Sequence, residues 1–467
     1  MERRRGARPR PLAVRCDGDE HAGAGHVARC LPLAAALRHH GWEPVFVGRY
    51  TGLARWLVER SGMNTRAPEE DGVLGVDGCD AAVVDLYGVA ERDLCALAER
   101  LPVATPGEAC RCPAAGIRID YHLDRDGERP TARDLPGPAF APLDPGLPAK
   151  RRPPDRDVGT ALVATGGSSA ARRIAGEAIA ALRAVFPSVH VIAGSGIAAG
   201  GDVEELPFPG TLGAAIARAD VAVSGAGLTA YELACAGVPA VLVGLADNQR
   251  RVLAGSQQAG TAVVAAPGEP LAAAIARLGD AAVRARIAHH GMARFDGAGA
   301  ARSAALLDHL WDGGDPGDVV LRLAVPGDRD RLLAWRNDPS TRANSVSVDP
   351  VAAPDHERWL ARCLADVDRR LMVAERAAVP VGQVRLDRAG AVAEVSITVA
   401  PDARGRGLGA AMLASANHHA ALWGVRELLA RVRPENERSL RLFRSAGYGG
   451  ESVGADGLLA VRRTVSG

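Results

Sequence analysis

Ser396-Ile-Thr-Val-Ala-Pro-Asp-Ala-Arg404-Gly405-Arg406-Gly407-Leu408-Gly409 reads as a strand, a glycine-punctuated turn and the opening of a helix. Glycine lets a backbone turn tightly and come close to a ligand. Successive N–H groups at such a turn can grip a pyrophosphate, with Arg404 and Arg406 adding charge. By itself the pattern also suits a phosphate-binding turn of another kind. Outward from it, strands are expected over 320–324, 371–375, 381–386, 392–399 and 427–432, helices over 408–423 and 437–446, and a final strand. This last part therefore reads as mixed α+β.

Further upstream, Gly313-Gly-Asp-Pro-Gly317 marks a break. Before it, short β-branched runs alternate with helical patterns. A strand over 12–15, a helix over 27–40, a strand over 44–47, a helical stretch around Trp56 and a buried strand over 81–86 make one run. The proline-rich, charged segment Leu147-Pro-Ala-Lys-Arg-Arg-Pro-Pro154 reads as a linker. Alternation resumes with a strand over 161–164, the turn Gly166-Gly-Ser-Ser169 and a helix through Arg183. Strands over 189–193, 221–224 and 240–243 follow. Strand–helix alternation of this kind predicts parallel sheets. The expected architecture is α/β, with two Rossmann-like domains over 11–148 and 157–312 and a mixed α+β domain over 319–465.

The 467 residues suffice for two or three domains, and 47% of them are apolar. A formal charge of +1 argues against nucleic acid as the main partner. Lys150 is the only lysine, so a lysine nucleophile is excluded nearly everywhere. The start, Met1 to Pro11, lacks the apolar run of a signal peptide, and no stretch has the length of a membrane span. The eight cysteines are scattered, and Cys110 and Cys112 have the wrong spacing for a zinc knuckle. Reduced thiols, a cytoplasmic location and no required metal are the expectation.

In the first part, Arg15-Cys16-Asp17 leads to Gly23-Ala-Gly25-His26 and a helix. A helix N-terminus suits a diphosphate and disfavours a protonated imidazole, so a neutral His26 beside Asp17 fits a base that activates water. The same residues also fit a tight turn with a structural histidine. In the second part, Ser224-Gly225-Ala226-Gly227-Leu228-Thr229 follows a strand and opens a helix carrying Glu232. The turn can cradle a phosphate, Thr229 adds a donor, and Glu232 can reach a ribose diol. Asn248 and Gln249, at the start of the next helix, offer paired donors and acceptors to sugar hydroxyls or acetamido groups.

The segment Arg15-x-Asp17…Gly23-x-Gly25-His26-Val27-x-Arg29-Cys30-Leu31 resembles the UDP-sugar hydrolases of pseudaminic acid biosynthesis, which are similar in fold to two-Rossmann (GT-B-like) glycosyltransferases. So do Val84-Asp85-Leu86-Tyr87-Gly88, Gly225-x-Gly227-x-Thr229-x-x-Glu232, Gly237-x-Pro239, Asn248-Gln249 and Asp296-Gly297-x-Gly299-Ala300. This resemblance covers roughly residues 12 to 310. It implies cleavage of UDP from a 2,4-diacetamido-2,4,6-trideoxyhexose by water. His26 would be the base, Asp17, Asp85 and Tyr87 would position sugar and water, and Arg15, Gly23, Gly25, Gly225, Gly227, Thr229, Glu232, Asn248 and Gln249 would bind substrate. Ser169 stands where that family has aspartate, and Asp120-Tyr121-His122 where it has an asparagine-containing segment.

The Arg404 to Gly409 turn, followed by Asn436-x-x-Ser439…Phe443…Gly447-Tyr448, resembles the GNAT N-acetyltransferases, whose pyrophosphate loop binds acetyl-CoA. The resemblance implies acetyl-CoA as cosubstrate, held by Val399, Arg404, Gly405, Arg406, Gly407, Gly409 and Asn436. Leu333-Ala-Trp335-Arg336-Asn337 with Arg342, and His356-x-x-Trp359, resemble GNAT members acting on amino-sugar nucleotides or protein N-termini. Trp335 and Trp359 suit core packing equally. Glu394 is the candidate base. Phe443 aligns with the usual tyrosine acid and cannot donate a proton, which leaves Tyr448, water or unassisted departure of the thiolate.

Both resemblances point to one pathway, in which a UDP-linked 4-amino sugar is acetylated on N4 and then released from UDP. UDP-sugar and acetyl-CoA are the expected partners. A glycosyltransferase using a UDP-amino sugar is one alternative. Another is a sugar-nucleotide-binding module fused to a GNAT domain that acts on another amine.

Overall fold

The computed structural model describes residues 10–19, 22–68, 74–107, 116–123, 134–150, 157–166, 169–194, 203–207, 212–315, 317–345, 347–454 and 456–465. Residues 1–9, Cys110 and Cys112, 151–154 of the expected linker, Gly167 and Ser168 of the expected turn, and Pro316 of the expected break lie outside them. The chain divides into two compact units. One comprises residues 11–35 and 44–303; the other comprises 36–43 and 304 onward, with the chain up to Arg10.

In the first unit, β1 (Arg10–Cys16), β2 (Trp42–Val47), β3 (Asn64–Arg66), β4 (Ala81–Asp85), β5 (Val103–Pro106), β6 (Ile117–Asp120) and β7 (Leu135–Pro136) form one sheet. Its order is β3-β2-β1-β4-β5-β6-β7. The β1–β4, β2–β3, β4–β5, β5–β6 and β6–β7 pairings are parallel. The Ala-Ala-Val-Val-Asp run of β4 is buried throughout, as a parallel strand covered on both faces requires. Strand order reverses between β1 and β4, and at such a point the strand ends diverge into a crevice.

A second parallel sheet repeats this logic with β8 (Thr160–Ala164), β9 (His190–Ala193), β10 (Val203–Glu205), β11 (Val221–Gly225), β12 (Ala240–Val243) and β13 (Val263–Val264). The order is β10-β9-β8-β11-β12-β13, with the reversal between β8 and β11. The helix expected over 27–40 spans Gly25–Arg38, so His26 already lies in its first turn. Asn248 and Gln249 lie in a single 3-10 turn, Asp247–Gln249, ahead of the helix Arg250–Ala259, and so do not start that helix themselves.

The second unit holds a mixed sheet of β14 (Val319–Leu323), β15 (Arg369–Arg376), β16 (Val379–Ala389), β17 (Val392–Val399), β18 (Glu427–Val432), β19 (Gly449–Val453) and β20 (Leu459–Thr464). Its order is β14-β15-β16-β17-β18-β20-β19. The expected final strand is thus an antiparallel pair, because Gly454 and Gly457 allow the chain to fold back. The β17–β18 pairing is the parallel one, and its ladder runs only from Val392–Glu427 to Glu394–Leu429. Beyond it the two strands continue without ladder bonds between them.

The helix Leu408–Leu422 buries Leu408, Met412, Ala416 and Ala420, a stripe at four-residue spacing. Gly382 on β16 permits this packing, since a Cβ there would lie 2.5 Å from Thr398 O and 2.7 Å from Met412 Cε. Arg322 on β14 is fully buried between two carboxylates. Its guanidinium bonds Asp328 through Nη1 and Nη2, each at 2.8 Å, and Glu375 through Nε at 2.7 Å. Arg331 adds a further bond to Asp328 at 2.6 Å.

Candidate active sites

The first site is built where β1 and β4 end. His26 lies on the Gly25–Arg38 helix, and its Nδ1 is 2.9 Å from Asp85 Oδ1 at the end of β4. His26 is 3% exposed and Asp85 not at all. Arg29, one turn along the same helix, donates through Nε to Asp85 Oδ2 and through Nη2 to Oδ1 at 3.0 Å. Its Nη2 is also 2.8 Å from His26 Nδ1. Burial works to raise the Asp85 carboxyl, but the His26 hydrogen bond and the Arg29 charge outweigh it and hold it below the usual carboxylate range. Tyr87, 60% exposed, meets the His26 ring edge-on at 4.5 Å.

The carboxylate against His26 is therefore Asp85, whereas the sequence suggested Asp17. Asp17 accepts from Arg15 Nη1 at 2.8 Å and from the Arg49 backbone N–H at 3.0 Å. Arg15 is itself buried and also donates to Val47 O, so the two residues tie β1 to the chain after β2. Gly23 takes a left-handed conformation (φ +66°), and a Cβ at Gly23 or Gly25 would meet nothing within 4 Å among the described residues.

From the second sheet, β11 ends at Gly225 and the helix Leu228–Ala236 starts after Gly227. A Cβ on Gly225 would press on Leu245 Cδ1 at 3.1 Å and Thr165 O at 3.2 Å, while Gly227 is open. Thr229 and Glu232 are half-buried in the first turns of this helix. Gln249 accepts from Leu245 N at 2.9 Å and so holds the loop after β12. Asn248 donates to Tyr87 Oη at 3.5 Å, which joins elements of the two sheets. Sequence reasoning missed a second such link, Arg251 Nη2 to Asp120 Oδ2 at 3.5 Å, with His122 Nδ1 2.9 Å from Asp120 Oδ1. Burial opposes the charge on Asp120, but His122 and Arg251 bring it down to about 2.

The other site follows β17. Gly405 (φ +79°) and Gly407 (φ +74°) both need the left-handed conformation, and Gly407 sits at the cap of the Leu408–Leu422 helix. Gly409 is a close-approach glycine, since a Cβ would lie 2.9 Å from Leu442 Cδ2. Arg406 is exposed beside these N–H groups. Arg404 instead donates to Asp338 Oδ2 at 2.7 Å and Thr341 Oγ1 at 2.8 Å, so it anchors the loop to the Pro339–Ala343 helix. Asn436 accepts from Ser439 N at 3.1 Å and caps the Glu437–Ser445 helix. Val399 ends β17, on the stretch past the β18 ladder, whose main chain could pair with an extended amide-bearing arm.

Glu394 closes that ladder, and its carboxylate accepts from Arg431 Nε at 2.9 Å and Nη2 at 3.3 Å. Tyr448 lies in the core, 4% exposed, with its ring 5.0 Å from that of Phe443 and its hydroxyl unpartnered among the described residues. Burial pushes that hydroxyl's pKa up, away from use as an acid. Trp335 is buried in the core and Trp359 packs on it. His356 is 3% exposed, and burial holds its imidazole below the usual histidine range. Asn337 exchanges two hydrogen bonds with the Val351 backbone, at 2.9 and 2.8 Å.

Residues 318–449 match the family described as "Acetyltransferase (GNAT) domain". This segment is a GNAT acetyltransferase domain, and acetyl-CoA is its cosubstrate. Among solved structures, the chain is similar to the spermidine N-acetyltransferase from Vibrio cholerae in complex with CoA and spermine. Identity there is 19%, over 32% of this chain and 96% of that one, with a TM-score of 0.29. It is also similar to AAC(6')-Ib in complex with ribostamycin and coenzyme A (20% identity, 32% and 93% covered, TM-score 0.29). A domain from Methanocaldococcus jannaschii gives 19% identity, 32% and 98% covered, and a TM-score of 0.29. No curated protein matches the chain.

Proposed function

We propose that this chain, whose C-terminal part is a GNAT acetyltransferase domain, is a bifunctional sugar-nucleotide enzyme. Its domains would be two Rossmann-like halves of GT-B type, 11–148 and 157–312, followed by the acetyltransferase, 319–465. The observation that carries the hydrolase half is the buried His26–Asp85–Arg29 constellation at the end of β1 and β4, beside the exposed Tyr87. Two glycine turns, Gly23 to Gly25 and Gly225 to Gly227, support a diphosphate ligand.

In this reading His26 Nε2 takes a proton from water, the water oxygen bonds the anomeric carbon, and the bond from that carbon to the diphosphate oxygen breaks. UDP leaves with the electron pair. Asp85 orients the imidazole and Tyr87 and Asn248 border the sugar. In the acetyltransferase half, an amine attacks the thioester carbonyl and the carbon–sulfur bond breaks. Glu394, held by Arg431, receives the ammonium proton, and water supplies the thiolate's, since Tyr448 is buried. The acceptor would be the UDP-linked 4-amino precursor of the sugar that the first half releases. The whole would serve pseudaminic-acid-type nonulosonate synthesis in the cytoplasm.

The test is to incubate the purified protein with UDP-2,4-diacetamido-2,4,6-trideoxy-L-altrose and follow UDP by chromatography. UDP release that is lost in His26→Ala, with acetyl transfer to the 4-amino precursor intact, is the expected result. No release by the wild-type protein would overturn the hydrolase half and favour a glycosyltransferase. Loss of both activities in His26→Ala would overturn the assignment of His26 to one site.

A further inference from the structure

We propose that the second unit carries a structural site for a divalent transition-metal ion, zinc being the one its donors fit, with Asp308, Asp312, His40 and His418 as ligands. The site lies outside both proposed reactions and rests on neither. Asp308 and Asp312 stand at i and i+4 at the end of the Gly299–Trp311 helix, where Asp312 N donates to Asp308 O at 3.2 Å, so both carboxylates share one face. His418 comes from the Leu408–Leu422 helix and His40 from the turn that follows the Gly25–Arg38 helix. Asp308, Asp312 and His418 each bring a ligand atom within 4.8 Å of the other two. His40 Nδ1 lies 3.5 Å from Asp308 Oδ2.

The distances favour a shared ion over direct bonds. His40 Nδ1 and His418 Nε2 face the same oxygen, Asp308 Oδ2, from 3.5 and 3.9 Å. Both separations exceed the roughly 2.7–3.2 Å of an N–H···O bond. Ligands of one tetrahedral zinc, each about 2.1 Å from it, stand about 3.4 Å apart. Asp312 and His418 are partly exposed, so short side-chain rotations close the wider gaps. The other oxygen of Asp308 is held separately, since Trp42 Nε1 donates to Oδ1 at 2.9 Å and Arg10 Nη1 at 3.3 Å. These donors fix the carboxylate with Oδ2 toward the imidazoles, the outer support that orients a metal ligand. Arg10 also reaches Asp312 Oδ1 at 3.4 Å, and its charge opposes a cation here, but these contacts spare Asp308 Oδ2. His419, edge-on to the His40 ring at 5.1 Å, is kept neutral by burial and adds no charge. Two imidazoles with two carboxylates suit zinc, whereas calcium and magnesium take oxygen ligands.

The experiment is equilibrium dialysis of the untagged, chelator-treated full chain against zinc sulfate, with bound metal read by atomic absorption. Wild type should take up one zinc ion per chain. His418→Ala and Asp312→Ala should each weaken that uptake by about tenfold or more. His190→Ala, at an exposed histidine of the first unit, should leave it unchanged. Cobalt(II) in place of zinc should give the intense visible bands of tetrahedral coordination in wild type and lose them in His418→Ala. Zinc should raise the Tm of wild type and not that of His418→Ala. No stoichiometric uptake by the folded wild type overturns the proposal. Uptake unchanged in both His418→Ala and Asp312→Ala overturns it equally, and leaves the cluster as an ion-pair network around Asp308. Should one of these variants fail to fold, the other decides.

Discussion

Each compact unit buries an arginine against carboxylates, and the two clusters have different surroundings. Arg322 is bonded by Asp328 and Glu375 through Nε, Nη1 and Nη2, with all three residues fully buried. Burial opposes the Asp328 charge, yet Arg322 and Arg331 hold it below the usual carboxylate range. That cluster joins β14, β15 and the turn before the Arg329–Asn337 helix. Arg29 and Asp85 make the same kind of pair, but a histidine takes part and an exposed tyrosine stands next to it. A buried ion pair closed on itself is architecture; under the proposed function, the same pair with a histidine beside open surface would serve chemistry.

The sharpest way to break this comparison is Asp85→Asn. If the open cluster is catalytic, UDP release should fall by about 10²- to 10⁴-fold while the fold is retained, read by steady-state rates and thermal melting. Equal rates would make it architecture too. Arg322→Met should act the other way round: it takes the shared guanidinium from two buried carboxylates, leaving Asp328 only Arg331, and should cost about 3–5 kcal/mol, measured by denaturant melts. A loss under about 1 kcal/mol would mean that the closed cluster has been overrated.

Asp120 sharpens the contrast within the first unit. Its folded pKa, about 2, lies below its unfolded one, so its ion pairs stabilise above pH ~4 and that stability is lost as pH falls toward 2. Asp120→Asn should flatten the pH dependence of melting in that window. An unchanged slope would show that Arg251 and His122 do not act on it. The smallest effect concerns the β15–β16 turn, two residues after Glu375. Ala377 and Ala378 both hold positive φ, +48° and +61°, in this two-residue turn. Ala378→Gly should relieve the left-handed strain and stabilise by about 0.5–1 kcal/mol in a thermal melt. Destabilisation would mean that Ala378 makes packing contacts worth more than its strain.

What could be read from sequence was local. Gly405 and Gly407 announce a strand–turn–helix because glycine at such spacing has few other uses, and β17 and β18 stand at 392–399 and 427–432 as the apolar runs demand. What could not be read came from far along the chain. The turn alone offers Arg404 to a phosphate and is silent about Asp338, sixty-six residues earlier, which also holds it. Asp17 is nearer to His26 in sequence than Asp85, yet the parallel pairing of β1 with β4 puts Asp85 opposite Cys16 at the same strand ends. Arg29 was visible as a residue and silent as a role, since its meaning depends on that pairing. Tyr448 looked available as an acid because burial of a hydroxyl has no local signature.

The short β17–β18 ladder has a thermodynamic consequence. A sheet interrupted after Glu394 and Leu429 forgoes main-chain bonds that an intact pair of strands would make. A ligand that binds this segment only when folded shifts the folding equilibrium by RT ln(1 + [L]/Kd), about 2.7 kcal/mol at a hundredfold excess over Kd. Acetyl-CoA would then act on the persistence of the domain as well as on its turnover.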